Sequence, residues 1–253
     1  MVGKLIKHEL WALFRIILFV GIGAIVVALL GRIIYAADSE SIYGVLFSLL
    51  AVYAAGIGLV MAFFASVAQF SRSFFTGEGY MTFSLPATPS QILIAKLVSA
   101  FVAMFYGLLV TAISILIFLS GIEPEYLEAF RVVFGELWDI VTNYLASEPL
   151  LIFELVLLAI VSLPLSLLFF YLVISVGQLF TGGRKGLTFV IAIAAIILVS
   201  ILNSYAFQPL LDLCLELDKH FYLWVEILVY AALDVGMFFA IRYILTHKVN
   251  LIV

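Results

Sequence analysis

Apolar runs of about 20 residues or more recur along this 253-residue chain. A run of that length is what crossing a bilayer requires, since ~20 residues at 1.5 Å rise each span the ~30 Å hydrocarbon core. Inside that layer every backbone polar group must find its partner within the segment, so the runs are read as helices. Six are expected, at about residues 16–37, 42–70, 91–120, 150–180, 187–207 and 221–245. A hydrophobic fraction of 66% beside a charged fraction of 11% fits no soluble protein. The expected fold class is therefore all-α, a polytopic membrane protein with a single transmembrane domain over 1–253. Spans of this length use more than half of the chain and leave no room for a soluble catalytic domain.

Lys4 and Lys7 precede the first run in the manner of a signal peptide. The run from 16 to 35 is nevertheless longer than an h-region of about 7–15 residues, and Tyr35 stands where cleavage after Ala37 would need a small residue, so it is read as a retained span. Before it, Leu5, Ile6, Leu10, Leu13 and Phe14 share one helical face, with Lys4, Lys7, His8, Trp11 and Arg15 on the other. That pattern predicts a basic amphipathic helix over 1–15, lying in the interface.

Lysine and arginine set the orientation, because they are retained on the cytoplasmic side. With the N-terminus inside, nine of them (Lys4, Lys7, Arg15, Arg72, Lys96, Arg184, Lys185, Arg242 and Lys248) face the cytoplasm, against three outside (Arg32, Arg131 and Lys219). Six spans return the C-terminus to the cytoplasm. The segment 121–149 then lies outside with six acidic residues, and Leu127, Phe130, Phe134, Leu137, Val141 and Tyr144 recur through it at helical spacing, as in a helix resting on the outer surface. The stretch 210–220, after Pro209, is too short to span and is read as a re-entrant or interfacial helix.

Within the spans, Pro164 is expected to kink the fourth helix, with the hydroxyls of Ser162 and Ser166 bonding freed carbonyls. Ala54, Gly58, Ala62 and Ser66, spaced i, i+4 on the second, predict close packing within the chain in preference to a dimer seam. Arg32 is read as reaching outward to Asp38 and Glu40. An ionisable residue deep in a span is a functional candidate because of what its burial costs, and Asp234 is the deepest, with Asn203 and Ser204 as candidate partners. Glu154 and Glu226 are read as interfacial, within reach of water. His8, His220 and His247 stand near span ends or tails and make a poor zinc or triad set; no metal site is expected. The turn Gly182-Gly183-Arg184-Lys185 lacks the spacing of a phosphate loop. The single cysteine, Cys214, excludes an intrachain disulfide.

The segment 71–90 is the most informative. Phe74, Phe75, Tyr80, Met81 and Phe83 are expected to face the cytoplasm among Gly77, Gly79, Pro86 and Pro89, and exposed apolar clusters of that kind mark contact sites. Thr88, Pro89 and Gln91 supply an N-cap, a proline at the first helical position and a capping-box glutamine, so a new helix begins there.

At this segment the sequence resembles the membrane subunits of type-2 ATP-binding-cassette (ABC) transporters, in particular the small bacterial exporter permeases. Glu78, Gly79, Tyr80, Leu85, Pro86, Thr88, Gln91 and Lys96 hold the places of the family's pattern, with Ala87 at its variable position. The N-terminal helix, the six spans, the helical excursion before the last of them and the ending Lys248-Val249-Asn250-Leu251 extend the likeness over nearly the whole chain. The acidic segment 121–149 departs from it, being longer than the family's short turn.

The resemblance implies a permease without enzymatic activity of its own, in a bacterial plasma membrane, working as a homo- or heterodimer. ATP and magnesium would be held by a separate ABC ATP-binding subunit, docked on a coupling site made of Phe74, Phe75, Glu78, Gly79, Tyr80, Leu85 and Pro86. Ser66, Gln69, Asn203, Ser204 and Asp234 are its candidate pathway residues. An ion-coupled secondary transporter using Asp234, and a membrane scaffold or sensor binding a ligand at 121–149, stay open as alternatives. No residue selects the cargo among peptides, antibiotics, lipids and ions, and nothing in the sequence points to nucleic acid.

Overall fold

In a computed structural model the chain is all-α. The structure describes residues 2–37, 42–75, 79, 84, 86–120, 132, 135–136, 138–139, 142–143, 146–181 and 185–247. Helices α1 (Val2–Ala37), α2 (Ile42–Phe75), α3 (Pro89–Leu119) and α4 (Pro149–Thr181) are followed by α5 (Lys185–Leu202), a π turn (Asn203–Phe207), α6 (Gln208–Leu217) and α7 (Lys219–His247). Among the described residues five stretches have the length and apolarity to cross a membrane: Ile17–Ala37, Gly56–Phe75, Pro89–Ile117, Pro149–Leu179 and Lys219–His247. The protein is thus membrane-embedded. The expected span at 187–207 is not among them; the described residues there give a shorter apolar helical stretch, Ile193–Tyr205, which runs from α5 into the π turn.

The chain divides into two compact units, Met1–Gln69 with Ile94–Val141, and Phe70–Leu93 with Thr142–Val253. In the first unit, Leu13 and Ile17 of α1, Ala62 of α2 and Ala103 of α3 form one buried cluster, and Ala24 and Val110 anchor a second. Tyr106 packs against both. Small residues allow this approach. A Cβ on Gly21 would lie 2.5 Å from the Tyr106 hydroxyl, and one on Gly107 would lie 3.2 Å from the Leu59 Cα. Gly58, Ala62 and Ser66 turn their small side inward, with Gly58 against Val20 of α1, so the stripe on α2 serves packing within the chain as expected.

One expectation for α1 is corrected. No break separates an interfacial helix over 1–15 from the first span, since α1 runs unbroken for 36 residues. No proline or glycine stands at the joint, and Leu13 and Ile17 carry one buried face across it. The amphipathic division itself is present: Lys4, Lys7, His8, Trp11 and Arg15 are exposed, Leu13 is buried, and Leu5, Ile6, Leu10 and Phe14 are partly buried.

In the second unit α4 packs along α7, with α5, the π turn and α6 beside them. Pro164 lies inside α4, and the helix continues through it. Ser162 donates to the Ala159 carbonyl at 3.1 Å and Ser166 to that of Leu163 at 3.3 Å, so both hydroxyls bond carbonyls of their own helix. Neither bonds the Ile160 carbonyl, the one that a proline at 164 deprives of its amide donor. The short helix expected at 210–220 is α6, with Pro209 in its first turn and its end at Leu217; Asp218 separates it from α7, its carboxylate accepting the His220 amide at 3.2 Å. The described residues between 132 and 147 are helical; 121–131, Phe134, Leu137, Val141 and Tyr144, which carry the pattern of the expected outer helix, and Asp38 and Glu40 lie outside the described residues.

Candidate functional site

Helix α3 starts as its sequence predicts. Thr88 accepts the Gln91 amide through its Oγ1 at 3.4 Å, while its own amide donates to Gln91 Oε1 at 3.1 Å. This reciprocal cap gives the Thr88 amide its acceptor and supplements the bond of the Gln91 amide to the Thr88 carbonyl at 2.9 Å. From Pro89 the helix carries Lys96 two turns inward, where it is 3% exposed.

An ammonium group so enclosed needs a counter-charge, and Glu9 of α1 supplies it, with Lys96 Nζ 2.8 Å from Glu9 Oε1. Gln69 of α2 donates to the other carboxylate oxygen of Glu9 and to the Glu9 carbonyl at 3.4 Å. Ser66, one turn away on α2, is buried and donates to the Ala62 carbonyl at 2.8 Å, and Ser99 donates to the Lys96 carbonyl at 3.0 Å. Three helices of the first unit are thus tied by one polar centre. Ser66 and Gln69 were candidate pathway residues in the sequence, and they lie beside it. Glu9 was not singled out, since it sits among Lys4, Lys7, His8 and Arg15 and its partner stands 87 positions away. The usable signal was Lys96, a lone cation inside an apolar helix.

A second polar centre lies in the second unit, where α4 and α7 begin. Lys219 pairs with Glu148, and His220 Nδ1 lies 2.7 Å from Glu154 Oε2. On the other edge of the ring, His220 Nε2 lies 3.9 Å from Glu148 Oε2. The interfacial expectation for Glu154 is corrected. Its side chain is fully buried, and its Oε1 takes no hydrogen bond among the described residues. The carboxylate is held by a histidine from a neighbouring helix.

Asp234 stands half-buried in α7, and its Oδ1 is enclosed without a hydrogen-bond partner. Asn203 and Ser204 do not pair with it. They are exposed in the π turn, whose Phe207 ring stacks on Tyr230 of α7 at 6.4 Å.

The expected coupling residues separate by environment. Phe74 does not face the cytoplasm as an open contact: α2 continues five residues beyond its predicted end at 70 and places Phe70 and Phe74 on one face. Phe70 stacks on Tyr171 of α4 at 4.0 Å and meets Phe74 at 5.1 Å, so both rings belong to the core of the second unit. Phe75 is partly buried, Gly79 is buried and Pro86 is exposed. Glu78, Tyr80, Met81, Phe83 and Leu85 lie outside the described residues. Among the described residues no three His, Cys, Asp or Glu side chains are grouped to hold a metal ion. No family model, curated protein or solved structure matches the sequence.

Proposed function

We propose that this chain is the membrane permease subunit of an ATP-driven ABC exporter. In this reading it is a transport subunit and not an enzyme. A separate ABC ATP-binding subunit holds ATP and magnesium, a second permease copy, identical or related, completes the pathway, and nucleic acid has no part. The chain crosses a bacterial plasma membrane six times, with α5 and the π turn supplying the crossing beyond the five long helices, and both termini are cytoplasmic.

The observation that carries the proposal is the buried Glu9–Lys96 pair. The proposed coupling segment leads directly into the capped start of α3, and two turns further Lys96 is fixed to α1 through Glu9. A push on that segment from an ATPase is passed to α3 and, through the pair, to α1. Closure of the ATPases on ATP would then bias the helices between inward- and outward-facing arrangements.

Co-expression with the ATP-binding subunit encoded beside it tests this reading. The two should co-purify, association should be lost in Glu78→Gln and Tyr80→Ala, and inverted vesicles should take up cargo with ATP in the presence of an ionophore. Stable expression without an ATPase partner, with transport unchanged, overturns it. One observation favours a second reading, an ion-coupled transporter: the enclosed, unpartnered Oδ1 of Asp234 within a span. That reading requires transport to follow an ion gradient and to fail in Asp234→Asn.

A further inference from the structure

Along the N-terminal half of α1 runs an open groove of about 500 Å³. Ile6, Leu10, Phe14 and Leu18 form its apolar floor, and Lys7 and Trp11 form its edge. Trp11 is 72% exposed. Beside that edge, at helical spacing, Lys4, His8 and Arg15 make a second, basic strip, and all three are exposed. Among the described residues neither Lys4, Lys7 nor Arg15 is matched with a carboxylate.

We propose that this groove binds one anionic phospholipid from the surrounding leaflet. The phosphate is held at Lys7 and the Trp11 indole N–H, with Lys4 and Arg15 about one turn to either side, and an acyl chain lies over Leu10, Phe14 and Leu18.

Three observations select this occupant. The first is charge, because an apolar floor with an unmatched basic edge complements a ligand that is apolar along its length and anionic at its head. The second is continuity. Leu18 belongs both to the groove and to the membrane-crossing stretch Ile17–Ala37, where Ile22, Val26, Leu29 and Ile33 continue as an exposed apolar face. A chain lying in the groove therefore passes into the hydrocarbon without leaving apolar surface. The third is length. At 1.5 Å per residue α1 is about 54 Å long, so it exceeds the ~30 Å hydrocarbon core and carries its first turns into the headgroup layer or beyond. Apolar surface there needs cover, and tryptophan beside lysine is the composition that settles at that depth. The site stands on residues of α1 alone, so its failure leaves the permease reading untouched, and the reverse also holds.

The test uses the full chain with Trp138 and Trp224 replaced by phenylalanine, which leaves Trp11 as its only tryptophan. It is reconstituted in bilayers of equal phosphatidylcholine and phosphatidylglycerol, with bromine on the acyl chains of one lipid or the other. Trp11 should be quenched several-fold more when the bromine is on phosphatidylglycerol. Lys7→Gln should reduce the preference about fivefold, the share of one basic residue near a charged surface. Leu10→Asn and, separately, Ile6→Asn keep every charge and should also remove most of the preference. Equal quenching by both lipids overturns the proposal. So does full preference in both asparagine variants, the mark of diffuse attraction to the surface, and so does a Trp11 that neither lipid quenches, as on a face covered by protein.

Discussion

The buried pair in the first unit predicts an asymmetry that can be measured. Lys96 is 3% exposed and Glu9 is 16% exposed, and they meet at 2.8 Å. Removing one member of a buried pair strands the other charge, at about 3–5 kcal/mol, whereas replacing both by neutral groups of similar size is often close to neutral. The two single variants should differ. Glu9→Gln takes away the carboxylate facing the more deeply enclosed charge and should fall at the upper end of that range. Lys96→Met leaves Glu9 with the Gln69 amide and some contact with solvent, and should fall at the lower end. For a chain of this size ~1 kcal/mol moves the unfolding midpoint by roughly 2–4 °C, so the singles should unfold about 6–20 °C early. The Glu9→Gln/Lys96→Met double variant should recover most of that loss, giving a coupling of about 2 kcal/mol or more. Thermal unfolding of the purified protein in one detergent, followed by circular dichroism, supplies all four corners of the cycle. Additive losses would refute the pairing, because they mean that the two charges do not depend on each other, and Lys96→Met as the more damaging single would refute the argument from their unequal burial.

The second unit offers a parallel contrast: His220→Ala strands the fully buried Glu154 and should cost about 3–5 kcal/mol, whereas Lys219→Met, at a half-exposed pair, should stay within about 1 kcal/mol. Chemical unfolding of both variants checks this, and similar losses would refute it. Gly21→Ala should destabilise by roughly 1–3 kcal/mol through its clash with the Tyr106 hydroxyl, and Tyr106→Phe in the same chain should restore part of it; no restoration means that the contact is not the cause. For the proposed topology, Gly3→Cys and Ser147→Cys on a Cys214→Ser background should react with a membrane-impermeant thiol reagent differently, Ser147→Cys in intact cells and Gly3→Cys only after permeabilisation. The opposite order would invert the orientation. Finally, uptake should need ATP and persist with the ion gradients collapsed; uptake that follows an ion gradient without ATP, and that Asp234→Asn abolishes, would favour ion coupling instead.

What the sequence made legible depended on how far apart the decisive partners stand. The Thr88–Gln91 cap could be read because both halves lie within one turn, and geometry on that scale follows from residue type. The small stripe on α2 was readable for a similar reason: its spacing is a property of one helix, and only the identity of its neighbours waited for the fold. Glu9 and Lys96 have no such local signature. Glu9 looks like one more charge on a basic amphipathic face until α3 is set beside α1. Glu154 shows the same failure with opposite sign, for its place near the start of a helix promised water, and its side chain is buried with a partner, His220, that stands 66 positions later. Phe74 was misread because loop-like composition obscured five more residues of helix, enough to turn an expected docking ring into a core ring against Phe70. In an apolar chain hydrophobic pattern loses its power to distinguish inside from outside, since lipid-facing and packed positions carry the same residues. The scarce polar side chains then hold most of the information about which helices meet. In this protein they do so as Glu9 with Lys96 in one unit and Glu154 with His220 in the other, and those pairs are the places where a change of conformation must either move two helices together or break a buried charge contact.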